Sequence, residues 1–193
     1  MFELDMQWGS QPVRLTALRS SSMPLDAPVT SVHVVPLYGG RVLVVCDRRG
    51  VFGYPGGRLE TDESWEAAMS REVYEEAAAY INPGYIQFGM MRIECTEKLP
   101  GRNYPHPYTY MALYAGTVRS MEPIRRDPAG IVTSRALFTL DECKRNMQKH
   151  DVILLREALI AMARQPNLCA SVCRFLNTDR DNLVSALRAL KEI

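Results

Sequence analysis

Two periodicities alternate along the chain. From Val29 to Leu37 β-branched residues dominate and predict a strand; Gly39-Gly40 marks a hairpin turn, and RVLVVCD at Arg41 to Asp47 is its partner. A further turn at Arg49-Gly50 leads to a short strand, Val51 to Tyr54. It runs into Tyr54-Pro55-Gly56-Gly57, a tight turn whose backbone can come close to a ligand. Later strands are expected at Tyr85 to Thr96, interrupted at Gly89, at Tyr108 to Val118 and at Ile131 to Leu140. A loop with three prolines, Leu99 to Pro107, and a polar loop, Pro123 to Gly130, separate them. Before residue 29 the pattern predicts an arm with one short strand around Val13 to Leu18, then an irregular link through Ser20 to Ser22 and two prolines.

The helical period begins near Ser64, the expected N-cap, with the acidic Glu66 in the positive first turn. It returns at the end of the chain. Asp141 is the expected cap of Glu142 to Lys149, and Asp151 that of Val152 to Arg164. The second of these carries an apolar stripe of Val152, Leu155, Leu159, Met162 and Ala163. Gln165-Pro166-Asn167 breaks the pattern, Leu168 to Leu176 resumes it, and Thr178 or Asp179 would cap a last helix with Leu183, Leu187 and Leu190 on one face. Strands around one helix, followed by helices, predict an α/β sandwich with a mixed sheet between helices.

Composition narrows the function classes. The 193 residues carry a formal net charge of +1, so no global field selects a nucleic-acid polymer or a membrane surface. No apolar run reaches bilayer length, and the opening MFELDMQWG places acids where a leader needs basic and then apolar residues. Five scattered cysteines with no CxxC pair fit free thiols in a reducing compartment. A cytoplasmic protein is the expectation.

The chemistry concentrates between Gly57 and Ala79, GRLETDESWEAAMSREVYEEAAA. Glu72, Glu75 and Glu76 stand at i, i+3 and i+4, and about 100° per residue gathers them on one helix face. Glutamate is a good helix former, so a solvated acidic face is the plain reading. The alternative is that three mutually repelling carboxylates await a cation that binds oxygen. The surrounding residues favour the second. The stretch resembles the Nudix box, G-x5-E-x7-R-E-U-x-E-E-x-G-U with U apolar, carried here by Gly57, Glu63, Arg71, Glu72, Val73, Glu75, Glu76 and Ala79. Ala78 replaces the penultimate glycine. A left-handed helix exit costs alanine about 1 kcal/mol, so the helix is expected to run on through Ala77-Ala78-Ala79 or to end in a different turn.

The resemblance implies a Nudix-type α/β/α sandwich for residues 29–165, with an N-terminal arm (1–28) and a C-terminal helical extension (166–193) outside it. It implies hydrolysis of the diphosphate linkage in a nucleoside diphosphate derivative: a nucleoside triphosphate, an oxidised nucleotide or a nucleotide sugar. Mg²⁺ or Mn²⁺ would be held by Glu72, Glu75 and Glu76, with the Gly56 carbonyl as a further ligand. Either Glu72 or Glu76 would take the proton of the attacking water. Arg71 would orient the box glutamates, with Glu63 as its partner. Glu97, Glu122 and Asp127 are candidates for an additional acid, each otherwise a solvated loop charge. Arg48, His106 and Tyr108, with Tyr104 and Tyr110 nearby, are candidates for substrate contact, each otherwise an ordinary surface or packing residue. Leucines of the extension would cover the parent core, or else form a homodimer contact or a cap over the cleft. A Nudix-like module that binds a nucleotide without cleaving it is the rival, although such modules commonly lose box glutamates and this chain keeps them. Cys95, Thr96 and Glu97 stand where some subfamilies carry a diagnostic proline or tyrosine, which argues against ADP-ribose and dinucleoside polyphosphate specialists.

Overall fold

Among the described residues, a mixed ten-stranded sheet lies between one helix on one face and the remaining helices on the other. The computed structural model describes residues 1–8, 11–95 and 105–190. Its strands are β1 (Phe2–Trp8), β2 (Gln11–Arg19), β3 (Val29–Tyr38), β4 (Arg41–Asp47), β5 (Phe52–Gly53), β6 (Gly56–Arg58), β7 (Ala79–Ile81), β8 (Ile86–Cys95), β9 (Tyr108–Met121) and β10 (Val132–Phe138). The helices are α1 (Trp65–Ala77), α2 (Leu140–Asn146), α3 (Lys149–Ala163), α4 (Pro166–Leu176) and α5 (Leu183–Ala189). The sheet runs β1-β2-β8-β9-β3-β4-β10, with β5 on β4, β6 on β3 and β7 on β9. Its central pair, β3 with β9, is parallel, with Val32 opposite Ala112 and Val34 opposite Tyr114. No helix among the described residues is long and apolar enough to cross a membrane.

The two-residue alternation of the central strands builds a separate core on each face. Val32 and Val34 of β3, Leu43 and Val45 of β4, and Ala112 of β9 pack against Ala68, Met69, Val73 and Ala77 of α1. Their neighbours Val35, Leu37, Val42, Val44 and Leu113 face the other way, onto α3 and α4. The result is the expected α/β/α sandwich.

Several local expectations are corrected. The N-terminal arm holds two strands, because Phe2, Leu4 and Met6 alternate with Glu3, Asp5 and Gln7 and pair β1 along β2. β2 extends the expected short strand and pairs with β8 from Val13 opposite Cys95 to Arg19 opposite Gly89. β8 is not interrupted at Gly89; a register shift absorbs it, and a Cβ there would lie 2.7 Å from the Leu18 carbonyl oxygen. Thr139, not Asp141, caps α2, through a capping box with Glu142. α3 begins at Lys149 after Gln148, which leaves Asp151 in its first turn; burial pushes that carboxyl up to about 7. Asn182, rather than Thr178 or Asp179, precedes α5, although Asp179 accepts its backbone N–H at 2.8 Å. The tail joins the parent core: Leu168, Val172, Phe175, Leu183 and Leu190 belong to the same buried cluster as Leu155 and Leu159 of α3.

The most informative correction is at Ala78. The helix stops at Ala77, and Ala78 takes φ 46° and ψ 46°, the left-handed turn that glycine would have made. Its backbone N–H donates to the Tyr74 carbonyl at 2.8 Å, which closes the last turn.

Candidate functional site

A fork in the sheet places the glycine turn above α1. β3 pairs with β4 only at Leu37 and Tyr38. Nearer its start it pairs with β6, with Val32 opposite Gly57 and His33 opposite Gly56. Below, Ser64 accepts the Ala67 N–H at 3.2 Å and starts α1 as expected. With Met69 and Val73 anchored against the sheet, the 3.6-residue period turns Glu72, Glu75 and Glu76 toward β6. Glycine at 57 lets the Glu72 carboxyl lie against the turn, since a Cβ there would fall 2.3 Å from Glu72 Oε1 and push it aside. The Gly56 N–H donates to Glu76 Oε2 at 3.0 Å.

Arg71 ties the face together. Its Nε and Nη2 donate to both oxygens of Glu63, at 2.8 and 2.9 Å. Nη1 donates to Glu72 Oε1 at 2.9 Å and to Glu75 Oε2 at 3.1 Å, and Nη2 also reaches the Arg58 carbonyl at 2.8 Å. The planar guanidinium is therefore shared among three carboxylates and a backbone oxygen, a role lysine's single ammonium could not fill. Glu63 in turn accepts the Glu60 N–H at 3.0 Å. Its carboxyl is held low, chiefly by the Arg71 hydrogen bonds. The resemblance-based pairing of Arg71 with Glu63 is thus met in the geometry.

Burial acts the opposite way on the deeper carboxylates. Desolvation raises Glu72 against the pull of Arg71. It carries Glu76 up to about 8, because the Gly56 N–H offsets only part of the effect and Glu72, Asp127 and Glu75 add repulsion. Glu72 Oε2, Glu75 Oε1 and Glu76 Oε1 take no hydrogen bond among the described residues. Among the described residues no three His, Cys, Asp or Glu side chains are gathered to hold a metal ion, and Arg71 occupies one oxygen each of Glu72 and Glu75. In donor chemistry the residues fit a hard divalent cation: three carboxylates on one face, each with an oxygen to give, one of them raised to about 8 chiefly by burial.

Of the candidate additional acids, Asp127 is the one that bears electrostatically on Glu76. It is not a solvated loop charge. It is buried and accepts the N–H groups of Ala129, Ile131 and Val132 at 3.0, 2.6 and 2.9 Å. Glu122 is spent elsewhere, accepting from Tyr80 at 3.0 Å and from Arg125 at 3.2 Å. Glu97 and Tyr104 lie outside the described residues. Arg48 borders the Asp127 loop: its backbone N–H donates to the Ile131 carbonyl at 3.1 Å, and its guanidinium lies against Gly130.

Beside the box a cavity of about 310 Å³ is lined by Ser31, His33, Gly57, Ile93, Thr109 and Met111, among others. Thr109 donates to the Pro28 carbonyl and Thr30 pairs with Thr109, both at 2.7 Å, so their hydroxyls are occupied and their methyls are free to line the wall. His33 went unnoticed in the sequence. Its signal is one polar residue inside an apolar strand, which reads equally as a satisfied core histidine. Here burial lowers it to about 4, so the ring is neutral. Tyr108 and Tyr110 alternate with Thr109 and Met111 along β9 and meet each other edge to face at 6.2 Å. Neither tyrosine lines the cavity, and His106 is exposed, while its neighbour Pro105 is at the cavity wall.

Solved structures share the fold. The chain is similar in structure to the Bacillus subtilis pyrophosphohydrolase BsRppH, an E68A mutant, with TM-score 0.55 and 19% identity over 100% of this chain and 97% of that one. It is also similar to the NUDIX domain of Shewanella oneidensis NrtR, solved with ADP ribose, with TM-score 0.51 and 18% identity over 71% of this chain and 90% of that one. These likenesses are of fold. No curated protein sequence matches the chain. A family model, the NUDIX domain, matches residues 27–158. With that match over most of its length, the chain belongs to the NUDIX family.

Proposed function

We propose that the protein is a metal-dependent pyrophosphohydrolase that cleaves the diphosphate linkage of a nucleoside diphosphate derivative. One observation carries this reading: Glu72, Glu75 and Glu76 share one face of α1, with Glu72 and Glu76 against the Gly56-Gly57 turn, and each has an unengaged oxygen. Bound there, Mg²⁺ or Mn²⁺ would supply charge neutralisation for the anionic bridge and acidify water. Glu72, Glu75 and Glu76 would be its side-chain ligands and the Gly56 carbonyl a backbone ligand. Arg71 keeps the carboxylates gathered before the ion arrives, and leaves one oxygen of Glu72 and one of Glu75 free to meet it. Glu76, whose carboxyl burial raises to about 8, suits the general base better than Glu72. The non-phosphate group would enter the cavity beside His33, whose neutral ring favours an uncharged moiety. Arg48, at the edge of the Asp127 loop, would meet a phosphate, and His106 with Tyr108 would contact the outer part of a substrate. Nucleoside triphosphates, oxidised nucleotides and nucleotide sugars all satisfy this arrangement.

The test is a phosphate-release screen over those compounds with and without Mg²⁺ or Mn²⁺, with product identification to show which bond breaks. Wild type should turn over at least one class only when metal is present, and Glu76→Gln should lose at least ~100-fold in rate while keeping its fold. Tight nucleotide binding without turnover by wild type would instead favour a Nudix-like binding module.

A further inference from the structure

The left-handed turn at Ala78 has an unusual support. α1 has no basic residue in its own last turn to meet the negative end of its dipole. The cation comes instead from β10. Arg135 Nη1 donates to the Ala77 carbonyl and, at 3.2 Å, to the Ala78 carbonyl, while Nη2 donates to the Glu122 carbonyl at 2.5 Å. The Ala78 carbonyl also accepts the Glu122 N–H at 2.8 Å. One half-buried side chain thus clamps the exit of the helix to the start of the loop that carries Asp127. Glu76 precedes Ala77 directly, and its carboxyl reaches Gly56 across the cleft. Any unwinding of the last turn would rotate Glu76 away before it moved Glu72.

From this juxtaposition we infer that Arg135 is a positioning residue for the carboxylate face, standing in for the glycine that position 78 lacks. The inference rests on the proposed metal-binding role of that face. Glycine adopts the left-handed conformation with no Cβ clash, so a glycine at 78 would close the helix by itself. Alanine does so against its own preference, and the guanidinium's bonds to the two exit carbonyls hold it there. The dependence on Arg135 is therefore set by the residue at 78, which gives the idea a specific test.

Mn²⁺ affinity, read from the free-ion signal in electron paramagnetic resonance, is measured for wild type, Arg135→Gln, Ala78→Gly and the double variant, with melting temperature alongside. Glutamine keeps a hydrogen-bond donor at 135, which guards against loss of the fold, and Arg135→Lys serves as the conservative rescue. Arg135→Gln should weaken Mn²⁺ binding about tenfold in the Ala78 background. With Ala78→Gly the same substitution should change it by no more than about twofold, and lysine should recover part of the loss. A lower melting temperature with unchanged Mn²⁺ affinity would overturn the proposal and leave Arg135 a structural anchor. An equal loss in both backgrounds would also overturn it, because the arginine would then act independently of the turn. If wild type binds no Mn²⁺, the metal-site reading itself fails. That failure is separate, because support of the turn is still read from stability: Ala78→Gly must shrink the melting-temperature loss caused by Arg135→Gln.

Discussion

Glu76 is pulled by opposite demands. Buried beside Glu72, it binds a proton up to about pH 8, yet the proposed chemistry needs it as a carboxylate. Linkage gives the sign. A carboxyl whose folded value exceeds its unfolded value holds a proton in the native state that the unfolded chain has released, so stability falls as pH rises toward the folded value. Asp151, raised to about 7 by burial, adds to the same trend. His33 and His150, both lowered by burial, act in the opposite direction but below their unfolded range near 6.5. The metal-free protein should therefore melt at progressively lower temperature from pH 6.5 to 8. Glu76→Gln should flatten part of that slope, and saturating Mn²⁺ should reverse it in wild type by favouring the ionised carboxylate. Calorimetry across that window checks all three outcomes.

At the scale of elements, the site is made where β6 and α1 face each other. A side chain at Gly57 would have to displace the Glu72 carboxyl, since its Cβ position falls among those atoms. Gly57→Ala should fold, because a surface strand of three residues tolerates alanine, but should displace Glu72 and lower kcat/KM by about 100-fold or more. Circular dichroism and steady-state kinetics on the same preparation separate the two effects. The helix, its cap at Ser64 and its acidic face were legible because they obey a local 3.6-residue rule. The Arg71 and Glu63 pairing was legible only through the family motif, as it spans a turn and a helix start. What escaped was set by distant chain. Nothing near Ala78 announces Arg135, and nothing near His33 announces the cavity that Ile93 and Met111 complete.

For the molecule as a whole, the arm and the extension proved integral. Three leucine-type or aromatic anchors of the tail, Leu168, Val172 and Phe175, are almost fully buried against α3 and the sheet. Each contributes roughly 1.5 to 3 kcal/mol. Against a typical total of about 5 to 15 kcal/mol, a chain ending at Gln165 should lose cooperative unfolding and bind a hydrophobic dye such as ANS. Leu183 and Leu190 lie in the same buried cluster and Leu187 packs against it, which favours core covering over a dimer contact, a choice their helical spacing left open. The sandwich itself was legible from alternating strands. The edge strand β1 was not, because its acids at Glu3 and Asp5 conceal a strand with one wet face. The parallel pairing of β3 with β9 has a last consequence. It joins Val32 to Ala112 and so encloses the glycine turn, the acidic helix and β8 within one long covalent loop. During synthesis, then, the residues that would grip the ion emerge before the sheet can close, and a nascent chain halted before Tyr108 has every box residue but lacks β9, the strand at the sheet's centre.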